Sequence, residues 1–294
     1  MKPSREREET IGMKIGILPY EHKLTGRLAD VPANRLKWPL DKTPPAGTVG
    51  DLERDDHLIL YPRSRYFLDP RPGVKCRISI LIAEPFAVHR RNYLAAIAMQ
   101  WRFHRIITHR PAMARRARNA LVMPFGGAWV DPDLEAHQDK KRHMSLIASA
   151  KRELEGHALR HEIADWCTSN GKDVDLLGLA YRPIDTKEEG LSPYRYSIVI
   201  ENSREQGYFT EKLVDCLLCR TLPIYWGAPD IDRFFDTEGM LVCNSAEDIR
   251  SAIETATTEL YAAKLPAVEA NRNRALAFAD YEKNAAQTLL QNQE

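Results

Sequence analysis

The stretch Tyr196–Ile231, "YSIVIENSREQGYFTEKLVDCLLCRTLPIYWGAPDI", decides the fold. An apolar run, "YSIVI", leads into a polar knot, then into the helical pattern "TEKLVDCLLCR", then into a second apolar run stopped by Trp-Gly-Ala-Pro. Short apolar runs bounded by turn residues read as strands, and a strand–helix–strand unit of this length makes a parallel pair. Strands this uniformly apolar are buried on both faces, as in parallel sheets covered by helices on either side.

The same pattern extends in both directions. Toward the N-terminus "KIGILPY", "HLILY", "CRISILIA", "RIITH" and "ALVMPFG" read as strands, with "RNYLAAIAMQW" as a helix between the third and fourth. The segment 131–143, "DPDLEAHQDKKRH", is polar, has no apolar face and reads as a linker. After it come "MSLIAS" (strand), "KRELEGHALRHEIADWCTSNG" (helix) and "VDLLG" (strand), then the opening stretch, "GMLVCN" (strand) and "SAEDIRSAIETATTEL" (helix). The expected fold is α/β, with two Rossmann-like doubly wound domains facing across a cleft. Residues 1–12 form a disordered lead, 13–135 the first domain, 140–264 the second, and 265–294 one long helix lying across both.

Composition narrows the class. At 294 residues the chain can bury ample core. No apolar run approaches the roughly 20 residues of a membrane span, and the charged start lacks the apolar core of a signal peptide. The expected location is the cytoplasm. The five cysteines are sparse and odd in number, so no disulfide framework is implied. Cys216 and Cys219 form a C-x-x-C well inside an apolar helix rather than at its start, which favours core packing over redox or metal chemistry. Residues 1–130 hold 23 Lys and Arg against 12 Asp and Glu, and the remainder 19 against 29. The basic excess peaks at Trp101–Ala120, where Arg115, Arg116 and Arg118 cluster. That stretch is either a solvated face or a surface for an anionic acceptor or the inner face of a membrane. The acidic second half argues against specific nucleic-acid binding.

In an open α/β sheet, ligands bind beyond the carboxyl ends of the strands, where "ENSREQGYFTEK" lies. Thr210 can cap the following helix, whose N-terminus presents unpaired N–H groups and a positive dipole end to a phosphate. Lys212 in the first turn opposes the dipole, so it costs the helix stability and is a candidate for function. Glu211 suits the dipole and could also accept from vicinal sugar hydroxyls. Tyr208 offers a flat face with a hydroxyl for a base or ribose. These residues suggest a nucleotide-diphosphate site.

The set Glu201, Asn202, Ser203, Tyr208, Thr210, Glu211, Lys212, Pro223, Tyr225, Trp226, Gly227 and Pro229 resembles the donor-site signature of the α1,3-fucosyltransferase family, glycosyltransferase family 10. The close match covers roughly 40 residues. The resemblance implies the GT-B arrangement, GDP-fucose as donor, and transfer with inversion to a glycan hydroxyl. It places Lys212 on the diphosphate, Glu211 on ribose or fucose hydroxyls, and Tyr208 and Asn202 around the nucleotide. The arginine that the family uses on the helix before its "VDxxG" strand corresponds to Arg160. In the first domain the family's catalytic "E-S-P" turn has its counterpart in Glu84-Pro85, without the serine. Glu84 closes an apolar strand, where burial would raise its pKa toward that of a general base; the plainer reading is a rim carboxylate paired with Arg90 or Arg91. "DVD" (Asp173, Asp175) and "DID" (Asp230, Asp232) mimic an acidic metal motif but read as structural, so no obligatory metal or cofactor is expected. The alternatives are a transferase of another nucleotide sugar and a non-catalytic glycan- or nucleotide-binding module.

Overall fold

The computed structural model describes residues 12–41, 43–133 and 140–292. The expected lead at 1–12 lies outside them but for Gly12, and so does much of the expected linker.

The first half builds a five-stranded parallel sheet from β1 (Ile15–Ile17), β2 (His57–Leu60), β3 (Arg77–Ile82), β4 (Ile106–Thr108) and β5 (Ala120–Val122). Helices α1 (Ser64–Leu68) and α2 (Phe86–Ala98) cover one face. There Leu58, Leu60, Ile78, Ile80 and Ile82 meet Tyr66, Phe67 and Tyr93. The strands follow chain order, so the other face is covered by a helix returning from the C-terminus. Ile15, Ile17, Ile59, Leu81 and Ile107 pack there against Ala285, Ala286 and Leu289. Successive strand residues thus enter opposite cores, which is why these runs carry no polar alternation.

The second half contains β6 (Arg142–Ile147), α3 (Glu155–Ser169), β7 (Asp175–Leu177), α4 (Lys187–Leu191), β8 (Tyr194–Ile200), α5 (Glu211–Leu218), β9 (Leu222–Trp226), β10 (Leu241–Val242) and α6 (Ala246–Thr255). Its parallel sheet has the order β10-β9-β8-β6-β7. From β6 the chain moves outward to β7, then crosses back to β8 and continues the other way. The reversal lies between β6 and β8, and a ligand crevice is expected beyond their carboxyl ends.

Three expectations need correction. The helix expected over "SAEDIRSAIETATTEL" stops at Thr255, because the Thr257 hydroxyl accepts the Leu260 N–H (3.1 Å) and caps a new helix, α7 (Thr258–Leu276). The single terminal helix expected over 265–294 is therefore the end of α7 plus α8 (Tyr281–Gln291). Between them Phe278 turns into a ring cluster with Phe209, Phe234 and Phe235, and the Asp280 carboxylate caps α8 through the Lys283 N–H (2.9 Å). Last, the chain joins the second half before residue 135. The Gly126 N–H donates to Phe209 O, Gly127 N–H to Phe278 O, and Val130 is buried in the second half's core.

Cys216 of α5 and Cys219 just after it are buried free thiols of the core, their pKa values pushed up by burial. Among the described residues, no helix is long and apolar enough to cross a membrane.

Candidate functional site

A cavity of 730 Å³ opens at the β6/β8 reversal, within the size range of sites for small molecules and cofactors. Ile147 at the end of β6, Ala148 after it, Gly178 after β7, and Ser197–Ile200 of β8 form its floor; α3, α4 and α5 supply the polar wall. The N-terminus of α3 comes close because residue 156 is glycine: a Cβ there would sit 1.7 Å from the Glu201 carbonyl oxygen.

Glu201 anchors the site from beneath. Its side chain is fully buried, accepting from the Thr210 N–H (2.8 Å) and the Thr210 hydroxyl (2.7 Å). Thr210 in turn caps α5, accepting from the Lys212 N–H (3.3 Å). Lys212 Nζ donates to Thr210 Oγ1 (3.1 Å) and Glu211 Oε1 (2.9 Å), and lies 3.9 Å from Glu201. Burial alone would lower the Lys212 pKa, but the Glu211 and Glu201 carboxylates outweigh it and hold the ammonium above its ordinary value. Burial likewise works to raise the Glu211 pKa, and Lys212 reverses it. Glu201 stays raised, because burial dominates there. Removing one partner of such a buried pair would leave an uncompensated charge, so the arrangement fixes the helix start in one geometry.

Arg160 of α3 is buried. Its guanidinium donates to the Ile200 carbonyl (Nε, 2.8 Å) and to Asn202 Oδ1 (2.9 Å), clamping the end of β8. Burial lowers its pKa, with Glu201 and Tyr208 acting the other way; a guanidinium nonetheless stays charged. Arg160, Asn202, Glu211 and Lys212 all line the cavity. Two cations beside a helix N-terminus suit a phosphate, with Glu211 available for hydroxyls.

Two expected residues sit elsewhere. Tyr208 is not in the cavity wall; it is buried against the imidazole ring of His109 of the first half, ring centroids 5.1 Å apart. Burial, then the charges of Glu201, Glu84 and Glu211, push its pKa well up. Glu84 stands at the carboxyl end of β3 on the opposite sheet, and it is exposed. The burial expected of it is absent: Glu84 lies exposed in the turn between β3 and α2.

Sequence reasoning missed Lys151, His157, Lys187 and Asp215, which also line the cavity. They come from different elements and share no motif. Asp215 was visible only as one turn beyond Glu211. Its Oδ1 accepts the N–H groups of Trp129 (2.8 Å) and Val130 (3.1 Å), tying the incoming chain to α5. Burial pushes its pKa from 3.8 up to about 7, against those two bonds and nearby Lys187. A carboxyl raised on folding binds its proton more tightly in the native state. Its stabilisation is full below the unfolded value and is lost as pH rises through the folded one. The stability of wild type relative to Asp215→Asn should therefore fall between pH 4 and 7, by roughly 1–4 kcal/mol. Chemical denaturation at the two pH values checks this; a pH-independent difference would mean that Asp215 titrates normally.

One carboxylate of each acidic pair is held by neighbouring donors. Asp175 accepts from Arg142 (2.9 Å) and the Tyr194 hydroxyl (2.6 Å), and Asp230 from the Gly207 N–H (2.8 Å).

Comparison with known proteins places this geometry. No protein-family model matches the chain. An α-(1,3)-fucosyltransferase of Helicobacter pylori is 32% identical over 71 residues, 24% of this chain and 15% of that protein. The chain resembles α1,3-fucosyltransferases. A fucosyltransferase-like protein of Arabidopsis thaliana is 25% identical over 151 residues, 47% of this chain and 29% of its own length. The matches thus span less than a third of these curated relatives. The crystal structure of an α1,3-fucosyltransferase with GDP superimposes with a TM-score of 0.50 at 17% identity, covering 77% of each chain. The two parallel sheets with their covering helices therefore form the GT-B arrangement of glycosyltransferases.

Proposed function

We propose that this chain is a fucosyltransferase that moves fucose from GDP-fucose to a hydroxyl of a glycan acceptor, with inversion and in α1,3 linkage. The observation that carries the reading is the cavity wall itself: Arg160, Asn202, Glu211 and Lys212 converge at the strand-order reversal around the N-terminus of α5. The resemblance to α1,3-fucosyltransferases in sequence supports fucose as the sugar.

In this reading the second half, residues 140–264, holds the donor and the first half, 13–135, meets the acceptor. Lys212 and Arg160 hold the diphosphate, while Glu211 accepts from ribose or fucose hydroxyls. Asn202, held by Arg160, shapes the nucleotide pocket, while Tyr208 stays buried against His109 outside the cavity wall. The acceptor oxygen attacks C1 of fucose as the C1–O bond to the diphosphate breaks, through a transition state with oxocarbenium character. Glu84 takes the hydroxyl proton, and GDP leaves with its added charge opposite Lys212 and Arg160. These two cations supply the positive charge at the leaving group, and no step is routed through a metal. Incubation with GDP-fucose and a panel of β-galactoside glycans should release GDP and yield a fucosylated product. Turnover of a UDP-sugar in its place would overturn the donor assignment.

The basic stretch lies in the first half, between α2 and the start of β5. Trp101 is 76% exposed, and Gln100 beside it accepts the Arg118 N–H (2.9 Å), which brings the Arg115–Arg118 turn alongside. Between Pro85 and Val130 the chain has no Asp or Glu. We propose that this face meets an anionic acceptor or the lipid surface that carries it. Charge reversal at Arg115, Arg116 and Arg118 should lower acceptor turnover or binding to anionic vesicles and leave GDP affinity unchanged, and added salt should mimic it. Insensitivity to both would make the face ordinary surface.

A further inference from the structure

We propose that Glu205 is a positioning residue that tethers the Glu84-Pro85-Phe86 turn of the first half to the donor loop of the second, so that filling the donor cavity sets the acceptor-side carboxylate. The proposal rests on the donor and base assignments above and adds a coupling between them.

Helix α2 begins at Phe86 with Pro85 as its N-cap, and no side chain of its own caps it. The first N–H groups of a helix need acceptors from elsewhere. The Phe86 N–H finds one 119 residues away, in Glu205 Oε1 at 2.9 Å. The same oxygen accepts from the Ser203 hydroxyl (3.3 Å). The other carboxylate oxygen faces Arg110 Nε (3.6 Å) and His109 Nε2 (3.7 Å), both beyond the carboxyl end of β4. Arg110 in turn lies over the Phe86 ring, 4.2 Å from its centroid. One carboxylate from the second half thus meets three groups of the first, at Phe86, His109 and Arg110.

The turn is pinned from its other side too. The fully buried Tyr93 hydroxyl donates to the Glu84 carbonyl (3.1 Å). Glu84 therefore sits between a rigid anchor in its own half and a tether from the opposite one. The tether belongs to the loop that runs from Asn202, in the cavity wall, to Tyr208. Within that loop Gly207 has φ +67°, and a Cβ there would lie 2.9 Å from the His109 carbonyl oxygen. Backbone meets backbone across the cleft with no slack, so a shift of the loop on donor binding reaches α2 directly. None of this shows in the motif, where Glu205 falls in the short stretch between the fixed positions.

The test uses the full chain as wild type, Glu205→Ala and Glu205→Gln, followed by hydrogen exchange and kinetics. Without ligand, the Phe86–Val88 amides should exchange faster in Glu205→Ala than in wild type. Glu205→Gln, whose amide oxygen can still accept the Phe86 N–H, should fall between. Adding GDP should slow this segment in wild type and not in Glu205→Ala. In turnover, Glu205→Ala should lose about 10–100-fold in kcat with GDP affinity within about 3-fold, a size typical of disturbed positioning. In a Glu84→Gln background the same change should cost less than about 2-fold, since groups acting through one another are not additive. GDP binding that leaves the segment unchanged in wild type, or additive losses in the double variant, would overturn the proposal alone. Absence of GDP binding to wild type would overturn the donor reading as well.

Discussion

Glu84→Gln should fold and bind GDP-fucose as wild type does, yet lose about 10²–10⁴-fold in transfer, the usual cost of removing a positioned general base. The charges of the second half are committed around the cavity: Lys212 to Glu211 and Thr210, Arg160 to Ile200 and Asn202, and Glu201 to Thr210. In the proposed reading the base for the acceptor comes from the opposite face of the cleft. Glu84 lies two residues past the end of β3, and the next residue but one, Phe86, is bonded to the donor loop. Its exposure leaves it free to meet an acceptor, and its charge reaches Tyr208 together with those of Glu201 and Glu211. The variant keeps shape and loses basicity, so folding effects stay small. Turnover within a few-fold of wild type would make Glu84 structural.

Lys212→Ala should weaken GDP binding by about 10–100-fold, since a charge-assisted phosphate contact is typically worth ~1.5–3 kcal/mol. The helix dipole disfavours a lysine in the first turn, while the Glu211 and Glu201 carboxylates beside it favour the ammonium. Removing it also leaves Glu201 buried without the ammonium 3.9 Å away, so the variant should melt earlier than wild type. Arg160→Ala should follow it in GDP affinity, because the end of β8 and Asn202 lose their clamp. Calorimetric titration with GDP measures both. Unchanged affinity in Lys212→Ala would mean that the start of α5 is not the phosphate site.

The parts that sequence could reveal are those decided by neighbours in the chain. The strands of both sheets were legible because burial on both faces leaves unbroken apolar runs. The α5 start was legible because Glu201, Thr210, Glu211 and Lys212 act through short local bonds. What needed the structure depends on distant partners. Tyr208 packs against His109 of the first half rather than in the cavity wall, and Phe278 breaks the terminal helix because three phenylalanines receive it. Lys187 and Asp215 join the site from separate helices. Glu205 gained meaning only when the Phe86 N–H was found beside it.

The central claim is that the cavity at the β6/β8 reversal holds GDP-fucose through the start of α5. Thermal unfolding of wild type with a panel of nucleotides and sugar nucleotides tests it most directly, because a ligand bound to the native state raises stability by mass action. GDP and GDP-fucose should raise the melting temperature more than the UDP, CMP or ADP forms, and Lys212→Ala should abolish most of that rise. A UDP-sugar that stabilises equally or better, or a GDP effect that survives in Lys212→Ala, would contradict the account.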